Sequence, residues 1–170
     1  MNIRNTGAFF VIWGSLLLGL LLSLIKLPAA ADIISPNYVV CVLLYWVIAV
    51  PEKVNVGIGW LTGLLFDLML GSTLGIHAAA FAFMSWIVAC QFRNIRYYSL
   101  IQKTLVVGSV NCLGQFLLFW VEHIFGVVTA DYHVFWSCLS TMLFWPLVYL
   151  ILTLVYEAVI PKSSLELYDL

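Results

Sequence analysis

The chain is short of charge. Only 9% of its 170 residues are Asp, Glu, Lys or Arg, where a soluble domain carries roughly a quarter. That is too little polar surface to coat a water-soluble fold. The net charge of -1 gives no basic face for nucleic acid and no field for an acidic substrate. Paired cysteines are missing too. Cys41, Cys90, Cys112 and Cys138 stand singly in apolar runs, with no Cys-x-x-Cys and no Cys/His spacing. They read as small buried residues. There is no glycine loop for phosphate and no serine in a nucleophile elbow. No polar stretch is long enough for a second domain. Residues 1–170 therefore read as a single integral membrane domain with no catalytic constellation and no cofactor.

What fills the chain is apolar: 64% of it is hydrophobic. Long apolar runs mark candidate spans. We place them at Ala8–Leu27, Asn37–Val50, Val54–Leu70, Leu74–Phe92, Lys103–Phe125 and Val134–Ile160. The expected fold is all-α, a polytopic membrane protein with about six transmembrane helices. The second and third are short, and a re-entrant hairpin is the alternative for that pair. Either choice adds an even number of crossings. "LPAAAD", Leu27 to Asp32, has the look of a cleavage site. The apolar run before it exceeds the roughly 7–15 residues of a signal h-region, so we expect an uncleaved first span.

Sidedness follows from Lys and Arg. With the N-terminus in the cytoplasm, Arg4, Lys53, Arg93, Arg96, Lys103 and Lys162 fall inside and Lys26 outside. That bias predicts an N-in/C-in topology. The stretch "FRNIRYYSLIQK", Phe92 to Lys103, becomes a cytoplasmic loop. Its Arg93 and Arg96 set topology, or else meet a cytoplasmic partner or anionic lipid.

One carboxylate breaks the apolar pattern. In "LLFDLMLGSTLG", Leu64 to Gly75, Asp67 follows Gly59 and Gly63 at intervals of four, with Gly71 four later. These residues share a helix face. Gly59-x-x-x-Gly63 invites close approach of another backbone. Three readings of Asp67 are open. It folds back onto the free N–H groups of the next helix, with Gly71 ending one helix and Ser72 or Thr73 starting the other, which would lock the turn up to Gly75. It relays a proton. Or it bonds another protein's helix. Ser15, Gly19 and Ser23 form a second small-residue stripe. Asn111, Gln115 and Glu122 share about one face of the fifth span, with Gly108 near its start, and read as interhelical glue. Glu122, His123, Asp131 and His133 gather near the last outer loop but match no metal spacing, so no metal is expected. His77 reads as a hydrogen-bonded packing residue.

Beyond single residues, the stretch from Ser35 to Ala78 carries a combined pattern. A Pro-Asn opens an apolar helix, "YW" comes near its end, P-x-x-V-N-x-G makes the turn, and D-L-x-x-G-S-x-L-G follows. With "FW-x-E" at Phe119 to Glu122 and "VFWS" followed by "WP" between Val134 and Pro146, the chain resembles the MreD family of rod shape-determining proteins. It looks most like the gammaproteobacterial form. The resemblance covers nearly the whole chain. It is strongest from Pro36 to Gly75, and residues 162–170 do not share in it.

The resemblance implies a non-enzymatic component of the cell elongation machinery in the inner membrane. It implies company with MreC, the actin-like MreB, a RodA-type glycosyltransferase and a class B penicillin-binding transpeptidase. MreC is the expected direct contact, with Gly59 and Gly63, then Ser15 and Gly19, as candidate contact residues. The resemblance also implies a fold like that of six-helix vitamin-transporter subunits. The competing function is accordingly a small-molecule or vitamin-binding transport subunit, which needs Asn111, Gln115, Glu122 and Asp67 to converge on one polar cavity.

Overall fold

The computed structural model describes residues 3–25, 35–124 and 133–159. Lys26, the Leu27–Asp32 stretch, Asp131, Lys162 and most of the connections that follow the first and fifth helices lie outside the described residues. Within them the chain is all-helical. The helices are α1 (Ile3–Leu24), α2 (Tyr38–Ala49), α3 (Val56–Leu70), α4 (Ile76–Tyr97), α5 (Leu100–Ile124) and α6 (His133–Val159). Four of them, α1, α4, α5 and α6, are long and apolar enough to cross a membrane. The other two have 12 and 15 residues, or about 18 and 22 Å of helix. Both fall short of a hydrocarbon layer of about 30 Å. The polytopic all-α expectation holds, including the two short helices.

The helix ends follow local chemistry. Asn37 caps α2, its side-chain oxygen accepting from Val40 N at 3.3 Å. Asn55 opens α3 in the same way, accepting from Gly57 N at 3.0 Å. Gly71 closes α3 in the left-handed region at φ 64°, where a side chain would be strained. The fourth helix does not start at Ser72 or Thr73. It starts after Gly75, itself left-handed at φ 101° and without a side-chain cap of its own.

The stretch Phe92–Lys103 is not the loop expected from its charge. Helix α4 runs on to Tyr97 and α5 begins at Leu100, so only Tyr98 and Ser99 connect them. The cause is a reciprocal cap. Ser99 Oγ accepts from Gln102 N at 3.4 Å, and Gln102 Oε1 accepts from Ser99 N at 3.0 Å. Arg93 and Arg96 thus ride the last turns of α4, and Lys103 rides the first of α5. Arg96 donates to the carbonyl of Ala49 at 2.9 Å, satisfying an end of α2. Lys103 donates to the Tyr149 hydroxyl at 3.3 Å and sits 5.2 Å from that ring's centre.

Helix α2 is the hub of the bundle. Every residue from Val39 to Ile48 is buried, as a helix apolar on all sides must be. Its polar tips are tied outward. Trp46 Nε1 donates to Ser15 Oγ on α1 at 2.8 Å, and the Tyr45 hydroxyl lies 3.2 Å from Thr153 Oγ1 on α6. At its other end, Asn37 N donates to Thr141 Oγ1 at 2.9 Å. The flanking helices turn large apolar side chains outward instead, among them Phe10, Leu18, Leu143 and Leu154. That is the surface a lipid solvent calls for.

Candidate functional site

Among the described residues the α3–α4 pair makes the tightest packing, and its small residues explain why. A Cβ on Gly63 would lie 2.5 Å from Ala78 Cα and 2.5 Å from His77 O. A Cβ on Gly59 would collide with the Ser85 hydroxyl and come within 3.0 Å of the Phe81 carbonyl. The two backbones touch, which only glycine permits. One turn beyond Gly63 on the same stripe lies Asp67, fully buried.

The Asp67 carboxylate is saturated. Oδ1 accepts from Ser72 Oγ at 3.1 Å, His77 N at 3.2 Å and His77 Nδ1 at 2.7 Å. Oδ2 accepts from Gly75 N at 2.8 Å and Ala78 N at 3.3 Å. Three of these donors are backbone N–H groups at the start of α4, which lack helical partners and sit at the positive end of the helix dipole. Left-handed Gly71 and Gly75 turn the chain so that those groups face back toward α3. The Asp67 carboxylate thereby caps the next helix, a job that Ser72 and Thr73 do not perform. Ser72 bonds the carboxylate instead.

The hydrogen-bonded role expected of His77 is there, and its partner, which the sequence does not name, is Asp67. The His77 ring stands edge-on to Phe66 at 5.1 Å and to Phe81 at 6.2 Å, which fixes its plane. An ionised carboxylate only accepts, so Nδ1 carries the hydrogen. Among the described residues this is the one contact at ion-pair distance between a carboxylate and a basic side chain. No local motif announces it, because the two residues are ten apart across the turn. A carboxylate has about four acceptor positions, and the turn alone supplies five donors. Asp67 is therefore fitted to hold two helices together, with nothing left over to bind a substrate.

The other candidate residues are placed as follows. Ser15 accepts from Trp46, and a Cβ on Gly19 would meet Val42 and the backbone of Tyr38 and Val39 at 3.4–3.5 Å. Ser23 Oγ accepts from Val39 N at 3.3 Å. This stripe packs on α2, as Gly59 and Gly63 pack on α4. All four proposed contact residues are thus engaged within the chain: Gly19, Gly59 and Gly63 are buried and Ser15 is half-buried. Asn111 is fully buried but its amide finds no hydrogen-bond partner, so the interhelical bond expected of it is not formed. Gln115 and Glu122 are half-buried on the same helix. None of these three bonds Asp67, so the four polar groups an uptake pocket needs do not meet there. Gly114, which drew no notice in the sequence, is where a Cβ would collide with Met84 of α4. Among the described residues no three His, Cys, Asp or Glu side chains stand together as metal ligands.

Comparison with known proteins places this arrangement in a family. The family model for the rod shape-determining protein MreD matches residues 4–155. The rod shape-determining protein MreD of Haemophilus influenzae is 35% identical over 156 residues, covering 89% of this chain and 94% of that one. No solved structure matches. The chain belongs to the MreD family, and with it to the proteins that determine rod shape.

Proposed function

We propose that this MreD-family chain is a non-catalytic scaffold of the bacterial inner membrane. It has both ends in the cytoplasm, docks MreC, and through it helps regulate peptidoglycan synthesis in the elongation complex. MreB, a RodA-type glycosyltransferase and a class B penicillin-binding transpeptidase are the further members of that assembly. The observation that supports this reading is how the polar groups are used. Asp67, His77, Ser15, Asn37, Arg96 and Lys103 each bond another part of the chain. The best-connected carboxylate is saturated by its own turn. Such a molecule acts through its shape and its apolar flanks. It biases partners by binding one of their states better than another. With the glycine stripes engaged internally, the docking faces move to the outward sides of the long helices.

The test is depletion of the protein in its host, scored for cell shape, with affinity capture of MreC from solubilised membranes. The expected result is conversion of rods to spheres together with recovery of MreC. Normal rods with no MreC recovered would reject the proposal.

A further inference from the structure

A cleft opens where the first half of α1 diverges from the start of α3. It has a volume of about 300 Å³ and is lined by Phe9, Ile12 and Trp13 of α1, Lys53 and Val54 of the turn after α2, and Ile58 of α3. Five of these six side chains are apolar or aromatic, and the sixth is a cation. Lys53 is exposed and joins no ion pair among the described residues. Its neighbour Glu52 does not line the cleft. The cleft lies at the bundle end that holds Arg96, which bonds the last carbonyl of α2 just before this turn.

We propose that this cleft holds one acyl chain of an anionic phospholipid, with the headgroup phosphate on Lys53. The inference rests on the membrane-embedded fold and is independent of the MreC reading. Three features choose the occupant. The cleft is a recess of about 300 Å³ walled by six side chains, small beside the ~10–12 Å width of a helix with its side chains. A hydrocarbon chain fits where a partner helix does not. The walls offer one charged side chain and, besides it, only the indole N–H of Trp13, too few polar groups to orient a polar metabolite. The charged one decides the headgroup. That side chain is a cation on the turn between two apolar helices, and a lysine near a membrane surface attracts acidic lipid.

The test uses the full chain purified in neutral detergent and mixed with phosphatidylglycerol or phosphatidylcholine, with retained lipid counted by native mass spectrometry. The wild type is expected to retain phosphatidylglycerol about fivefold over phosphatidylcholine, the preference one surface lysine provides. Lys53→Gln is expected to bring that ratio to about one. Arg93→Gln, which removes an exposed cation of α4 outside the cleft, is expected to leave it unchanged. Ile58→Trp fills the cleft and is expected to lower retention of both lipids. Equal losses in Lys53→Gln and Arg93→Gln would show diffuse surface attraction and overturn the proposal. So would equal retention of the two lipids by the wild type. Lipid retention untouched by both Lys53→Gln and Ile58→Trp would place the bound lipid elsewhere and overturn the proposal as well.

Discussion

Asp67 and Asn111 are both fully buried polar residues, yet they live in opposite circumstances. Asp67 is held by five hydrogen bonds from a turn built around two left-handed glycines. Asn111, midway along α5, has none, and neither does the Ser85 hydroxyl or the Trp145 indole N–H. The contrast shows what a lipid-embedded bundle demands of each group. A charge in the apolar layer costs about 2.5–3.5 kcal/mol on insertion scales even where lipid and water relax around it, so it is kept only where donors already converge. A neutral amide costs less, about 1–3 kcal/mol when left unpaired, and a well-packed bundle carries it.

The comparison can be broken at the α3–α4 contact first. Gly63→Leu forces a side chain into the backbone of Ala78 and is expected to abolish folded protein, read as loss of the monodisperse peak after detergent extraction. Recovery at wild-type yield would mean that the two helices do not touch there. Next comes the carboxylate. Asp67→Ala strands several buried donors at once, and we expect a loss of about 3 kcal/mol or more, the upper range for leaving buried donors unmade. Asp67→Asn keeps an acceptor and is expected to lose about 1–3 kcal/mol. Both are read from denaturant titration in detergent. His77→Phe removes one donor and leaves the backbone donors in place, for about 1–2 kcal/mol. At the other pole, Asn111→Leu replaces an unpaired amide by an apolar group and is expected to be neutral or to stabilise. A loss above about 1 kcal/mol there would mean that the amide has a partner, and the contrast with Asp67 would collapse.

The sequence carried the bundle better than its joints. Six helices and the shortness of α2 and α3 were legible, because run length and apolarity report directly on lipid. The stretch from Phe92 to Lys103 was misread because its charges outweighed a local signal, Ser99-x-x-Gln102, that starts a helix. Gly59 and Gly63 announce that some backbone comes close. They do not say whose, and the answer is α4 of the same chain. The stripe linking Gly59, Gly63 and Asp67 was visible at a spacing of four. The His77 ring was not, because it reaches Asp67 only after Gly71 and Gly75 reverse the chain. The bonds from Trp46 to Ser15 and from Asn37 to Thr141 were equally silent, being separations of 31 and 104 residues.

The most direct test of Asp67 as a helix latch sets protein level against cell shape. Asp67→Asn and Asp67→Ala replace the wild-type copy in its host, and membrane abundance and cell outline are scored together. Abundance and rod shape should decline in step, least for Asn and most for Ala. Full abundance of both variants in cells that nonetheless turn round would contradict the latch and hand Asp67 to a partner.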